Sequence, residues 1–326
     1  MSLLGVKSIN LTQIIYKMPD ILHRFSLENL HVRGEWVSLK TTWKEIQKTA
    51  DYPEALRHVL GEALAAITLL AESLKFDGSL ILQIRGTQPV TMLVVQASSE
   101  GTVRAIAHWN NDVELPKNAT FNELFGAGTM VISVENNPKP GQNKGERYQS
   151  LVSLDGETLA DCLKEYFAQS EQLSTRLWLA ANNECVAGLM LQSLPSDSES
   201  NIKDAQDHWN HATLLADTLK DEELLTLDAQ ELLHRLYHEE DLRLYDAKEI
   251  QFKCTCSQEK IDNAIYSLGE KEATELLKTQ GTISVDCEFC NTKYNIDDVD
   301  IKRIFTDTDS FSLSNTSNSD GSRTIH

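Results

Sequence analysis

Four of the six cysteines stand as two close pairs, Cys254-Thr255-Cys256 and Cys287-Glu288-Phe289-Cys290, with 30 residues between them. Four thiolates offered as C-x-C and C-x2-C on either side of a short helical stretch suit a tetrahedral Zn2+ site. Each pair supplies two sulfurs at roughly 2.3 Å from the ion. Such a site keeps no position open for water and so does no Lewis-acid hydrolysis. The segment that carries the cysteines, 251–305, is too short to build much of a core. Metal binding, worth roughly 10 to 16 kcal/mol in small zinc modules, would then be most of its folding energy.

Two uses of the site fit the spacing. One is a permanent structural ribbon serving a protein-interaction adaptor. The other is a switch. Residues i and i+2 of extended chain lie about 6.6 Å apart at Cα, and a C-x2-C turn brings its ends closer, so each pair can also close a local disulfide. Oxidation would replace a staple reaching from Cys254 to Cys290 by links spanning a few residues each. By the chain-entropy estimate the long closure is worth roughly 4 kcal/mol and a short one under about half of that. The unit is therefore expected to unfold when oxidised, and a strained C-x-C disulfide to be readily reduced again. An oxidoreductase using Cys287 and Cys290 lacks a βαβ context and leaves the second pair unexplained. Cys162 and Cys185 stand alone and read as small buried hydrophobes.

The first half of the chain mixes strands and helices. Apolar residues at 56, 59, 60, 63, 64, 67, 70, 71 and 74 predict an amphipathic helix over Pro53–Phe76. Three β-rich runs follow, Ser79–Arg85, Thr91–Ala97 and Thr102–Trp109, and the turn chemistry of GTQP and SSEG between them predicts an antiparallel meander. Further strands are expected over Tyr148–Leu154, Leu177–Ala181 and Gly188–Leu194, with a helix over Glu157–Gln172. Clustered strands without regular βαβ alternation indicate an α+β fold. The expected core domain is 1–195, of which 1–17 reads as an extension.

The formal net charge is −19, and residues 196–250 carry 15 acids against 5 bases, more than half of it. Apolar positions in this stretch recur at Trp209, Ala212, Leu215, Leu219, Leu232 and Leu236, which marks amphipathic helices with strongly acidic outer faces. Short helices gain their stability from docking, so this is expected to be a helical linker packed on the core and weakened by its own charge. The zinc-binding unit is expected over 251–305, with helices over Ser257–Leu268 and Glu270–Thr279 and short strands at Thr282–Val285 and Tyr294–Ile296. The tail 306–326 is polar, with too little apolar content to fold. The acidic balance argues against nucleic acid as a partner. No apolar run reaches the roughly 18 residues of a membrane span, and the start MSLLGVKSINLTQ lacks the pattern of a secretory signal, so a cytoplasmic protein with reduced thiols is expected. His234 and His238 read as a solvated helix face, since no third ligand and no internal Glu accompany them, and His208 and His211 are also close in sequence. The cluster Phe125-Gly126-Ala127-Gly128 reads as a turn.

Along nearly its whole length the chain resembles the heat shock protein 33 family of redox-regulated holdase chaperones. The resemblance is carried by HRFSLENLHVRGEWVSL, by YPEALRHVLGEALAAITLLAESLKFDGSLILQIRGTQPVTMLVVQ, by YFAQSEQLSTRLWLA, and by FKCTCSQEKIDNAIYSLGEKE with ISVDCEFCNTKYNID. It implies that Cys254, Cys256, Cys287 and Cys290 hold one Zn2+ per chain when reduced. On oxidation by peroxide or hypochlorite they would become two disulfides, Cys254 with Cys256 and Cys287 with Cys290. The acidic segment would match the family's metastable linker, whose apolar faces around Trp209, Leu215, Leu219, Leu232 and Leu236 take up unfolding clients. The resemblance also implies a homodimer when oxidised, hand-over of clients to ATP-dependent chaperones, and no enzymatic activity. Ser150 and Leu189 stand where the family more often has glycine.

Overall fold

The structure, a computed structural model, describes residues 20–142, 145–170, 173–195 and 202–306. The expected extension at 1–17 and all but the first residue of the expected tail lie outside them. The chain divides between Lys253 and Cys254 into two compact units.

The first unit is built on two six-stranded sheets. One contains β1 (Ile21–Leu27), β2 (Val32–Leu39), β8 (Thr175–Ala181) and β9 (Val186–Ser193), running β10-β1-β2-β9-β8, with β10 (Leu242–Leu244) and β11 (Lys248–Glu249) both paired to β1. The other contains β3 (Gly78–Arg85), β4 (Val90–Ser98), β5 (Thr102–Trp109), β6 (Thr129–Asn136), β7 (Arg147–Val152) and β12 (Gln251–Phe252), in the order β12-β5-β4-β3-β6-β7. The meander β3-β4-β5 is antiparallel as its turn residues predict.

Between α1 (Thr41–Gln47) and the meander runs the long helix α2, Glu54–Ser73, thirteen of whose residues are buried. It packs against both sheets, which is why its apolar stripe is broader than a surface helix needs. Close approach to the first sheet depends on Gly61, where a Cβ would stand 2.6 Å from both Ala181 and Val186. The helix stops at Ser73, three residues short of Phe76, because Leu74 has turned to extended backbone. The short α3 (Phe121–Phe125) opens on a Thr120–Glu123 capping box, and Gly126 ends it at φ 61°, so the glycine cluster is indeed a turn. Helix α4, Leu159–Ser170, lies within the expected 157–172.

Residues 202–252 belong to this same unit. Helices α5 (Ile202–Ala216), α6 (Asp221–Thr226) and α7 (Ala229–Tyr237) lie on the face of the first sheet turned away from α2. The sequence predicts helices throughout this stretch, but after Tyr237 the chain extends. β10 and β11 add antiparallel to β1, and β12 adds parallel to β5. Three strands of two or three residues carry no periodicity to read; pairing with distant backbone makes them.

The second unit contains α8 (Gln258–Leu268), α9 (Glu270–Gln280), the antiparallel hairpin β13 (Ile283–Asp286) and β14 (Lys293–Ile296), and α10 (Asp298–Thr306). Gly269 and Gly281 stop the two longer helices, as their positions predict. Seven residues form its buried core: Ile265, Ala273, Leu277, Ile283, Ile296, Ile301 and Ile304. Arg303 donates to Asp262 at 2.7 Å and so ties α10 to α8. The α+β class read from the sequence is the class of the structure.

Candidate metal centre

The two knuckles are positioned by ordinary local chemistry. Cys254 and Cys256 lie on the short extended stretch just before Ser257, whose hydroxyl accepts from Lys260 N–H and caps α8. Cys287 and Cys290 occupy the turn between β13 and β14. That turn is closed by Cys287 N–H to Thr292 O at 2.9 Å and Asn291 N–H to Cys287 O at 2.7 Å. Asn291 sits at φ 57°, a left-handed conformation that asparagine tolerates better than most side chains.

Folding of the hairpin onto α8 brings all four Sγ atoms within 4.8 Å of one another. Two close approaches run across the knuckles, Cys254 to Cys287 at 3.6 Å and Cys256 to Cys290 at 3.5 Å. A tetrahedron of sulfurs at about 2.3 Å from a Zn2+ has edges of about 3.8 Å, so the donor set and its spacing fit that ion. Among the described residues this is the sole group of three or more His, Cys, Asp or Glu side chains close enough to share a metal. All six cysteines are free thiols, and the four clustered ones are half-buried.

Backbone N–H groups of Cys256, Phe289 and Thr292 point at the sulfurs of Cys254, Cys287 and Cys290. Tyr294 donates its hydroxyl to Cys256 Sγ at 3.1 Å, and Thr292 Oγ1 lies 3.2 Å from Cys290 Sγ. These contacts oppose the cost of burying negative sulfur. Burial pushes Cys287 up to about 12, whereas at Cys290 the hydrogen bonds outweigh burial and bring it down to about 7. Lys260 donates to Thr255 O at 2.6 Å, within the Cys254–Cys256 knuckle. Sequence reasoning assigned no role to Thr292, Tyr294 or Lys260. Their positions two and four residues past Cys290, and four past Cys256, were the available signal.

The other singled-out residues lie elsewhere. Cys162 and Cys185 are buried in the first unit, where burial raises both thiols. His234 and His238 stack at 5.7 Å on an exposed helix face, and His211 pairs with Glu240 at 2.8 Å. Leu232 and Leu236 are buried, and Trp209, Leu215 and Leu219 are half-buried, all against Phe25, Leu27, Trp36, Leu189 and Leu191 of the first sheet. Ser150 pairs with Ile132 within regular β7 and accepts from Tyr166, and Leu189 is fully buried between Trp36 and Trp178. Neither residue distorts its strand.

A family model described as Hsp33 protein matches residues 20–297. The chain is 42% identical over 287 residues to the 33 kDa chaperonin of Shewanella frigidimarina (strain NCIMB 400), a match covering 88% of this chain and 96% of that protein. It is 42% identical over 289 residues to the 33 kDa chaperonin of Ectopseudomonas mendocina (strain ymp), with the same two shares. The crystal structure of the 33 kDa chaperonin of Thermotoga maritima superimposes with a TM-score of 0.72 over 89% of this chain and 99% of that one, at 24% identity. That likeness is one of fold.

Proposed function

This chain belongs to the Hsp33 family of chaperones, and from that premise we propose that it is a redox-regulated, ATP-independent holdase. Chaperone families are generally non-enzymatic, and no reaction on a substrate is assigned to it. In the reduced state Cys254, Cys256, Cys287 and Cys290 hold one Zn2+, which supplies a crosslink between the two knuckles and the folding energy of the second unit. In that state the chaperone is off.

The observation that carries the reading is the cross-knuckle geometry. Two of the close sulfur contacts join residues 33 and 34 apart in sequence, whereas the disulfides proposed, Cys254 with Cys256 and Cys287 with Cys290, join neighbours. Each disulfide forms as one peroxide takes two electrons from a pair of thiolates. The S–S bond forms, the O–O bond breaks, and with two protons from solvent the oxygens leave as two waters. Two peroxides consume all four ligands. The second unit, with seven buried apolar residues of its own, then loses what holds its halves together.

Loss of that unit weakens the segment 202–250. Its acidic outer face opposes docking, and its release frees Trp209, Leu215, Leu219, Leu232 and Leu236 for clients. Dimerisation of the oxidised chain, hand-over of clients to ATP-dependent chaperones and a cytoplasmic location complete the reading; no described helix is long and apolar enough to cross a membrane.

The test measures Zn2+ release with a chromophoric chelator beside light scattering from an aggregating client, during peroxide treatment under mildly unfolding heat. The expected result is one Zn2+ released per chain, two disulfides, suppressed aggregation and reversal by dithiothreitol. Zn2+ that stays bound, or leaves without any protection of the client, overturns the switch and favours a constitutive adaptor.

A further inference from the structure

We propose that the free edge of β1, vacated by residues 241–250, is a client-binding register that takes an extended client segment by strand addition. The proposal deepens the holdase reading and rests on it.

In the structure this edge is filled from end to end by the chain's own linker. Tyr245 N–H donates to Arg24 O at 2.9 Å, Ile250 N–H to Asp20 O at 2.8 Å, and Glu28 N–H to Asp241 O at 3.0 Å. In an antiparallel strand the amide and carbonyl of one residue point the same way. The even-numbered positions from Asp20 to Glu28 therefore face the linker, and the odd-numbered ones face β2. Register runs Leu27 with Leu242 and Phe25 with Leu244, then slips by one residue to Leu22 with Lys248 and Ile21 with Glu249. The occupant fits with an irregularity in its middle.

Beside this edge lies an apolar face covered by the same linker. Phe25 and Leu27 pack with Trp36, Leu189 and Leu191 beneath α5–α7, and the Phe25 ring lies 6.3 Å from that of Tyr237. Release of 202–250 thus opens two things together: a row of unpaired backbone groups about 26 Å long, at about 3.3 Å per residue, and a hydrophobic surface along it. An extended peptide there would pair its main chain with positions 22, 24, 26 and 28 and lay alternate side chains beside Phe25 and Leu27. Leu242-Arg243-Leu244, the natural occupant, already has that alternation. Main-chain pairing is the same for every sequence, which is what a binder of many unfolded proteins requires. An open edge next to an apolar face is also a strong template for any exposed strand.

The test is residue-resolved amide exchange on the full-length protein, with carboxymethylated lactalbumin as a permanently unfolded client. In the zinc-bound protein the amides of Leu22, Arg24 and Ser26 are expected to be protected by the linker. In the disulfide form they become fast, and client slows them at least tenfold. The amides of His23, Phe25 and Leu27, which face β2, stay slow throughout. Persistent protection before client is added means the edge never opens and sinks the proposal. Client that binds without slowing those three amides overturns strand addition and leaves the holdase reading standing. A disulfide form that binds no client overturns both. A synthetic peptide of residues 241–250 is further expected to compete with the client, and the same peptide N-methylated at Arg243 and Tyr245 to fail; equal competition by both refutes main-chain pairing.

Discussion

Leu232→Ala tests whether residues 202–250 can leave the first sheet without unfolding it. The Leu232 side chain is fully buried among the residues that join α5–α7 to β1, β2 and β9. Truncation removes three carbons, about 2.4 kcal/mol at about 0.8 kcal/mol each. The cavity left behind brings the expected cost to about 3 kcal/mol, within the range for buried leucines. If the segment opens as its own cooperative unit, that cost falls wholly on the opening equilibrium, which shifts by about 160-fold. The assay is native-state hydrogen exchange of the metal-loaded, reduced protein. Amides of α7 and of Leu242–Leu244 should exchange about 160-fold faster, while those of α2 and β3–β5 keep their rates. Aggregation suppression without oxidant should rise in parallel. Equal acceleration in α2 and in α7 would show that linker and core unfold together, and the release step proposed here would then be impossible short of global unfolding.

Three further outcomes follow from the same contacts. Removing the metal with a chelator under reducing conditions should abolish the helical circular dichroism of α8–α10 and leave the first unit's thermal transition in place; retention of all helical signal would show that the seven-residue core suffices alone. Tyr294→Phe removes the hydroxyl donated to Cys256 Sγ and should weaken Zn2+ binding by about 10- to 100-fold in chelator competition, as supporting contacts of metal ligands usually do. Glu35 lies on β2 with Oε2 buried and unpartnered, and burial, opposed by Arg33, pushes its carboxyl from 4.5 to about 7. The folded state therefore holds the proton more tightly, and stability is lost as pH rises from about 4.5 to 7, by about 3 kcal/mol in all. Glu35→Gln should match the parent near pH 4 and exceed it by about that amount at pH 8 in urea titrations; a pH-independent difference would rule out the carboxyl as the source.

The four-cysteine cluster was legible because its geometry is local: two knuckles at fixed spacing, a helix cap at Ser257, and stops at Gly269 and Gly281 are all written in neighbouring residues. The meander was legible for the same reason, from GTQP and SSEG. What escaped reading depends on partners far away. β6, with Met130 and Ile132 buried, begins straight after the glycine turn, and no strand is predicted for it. α10 is nine residues long and is held by Arg303 reaching back to Asp262. β10, β11 and β12 lie in an acidic stretch whose helical period ends at Tyr237, and only β1 and β5 make them strands. The roles of Thr292 and Tyr294 needed the hairpin to be folded before their hydroxyls faced sulfur.

The pairing of β1 with residues 241–250 also sets an order of events at birth. His23 and its partner Tyr245 are 222 residues apart. At about 5 to 20 residues per second a ribosome needs roughly 10 to 45 s to travel that distance. Through that interval β1 can pair with β2, but its outer edge has nothing of its own to pair with. Every copy thus emerges with the surface that the finished protein keeps covered, and becomes self-sufficient only when translation reaches Ile250, four residues before Cys254, the first cysteine of the cluster.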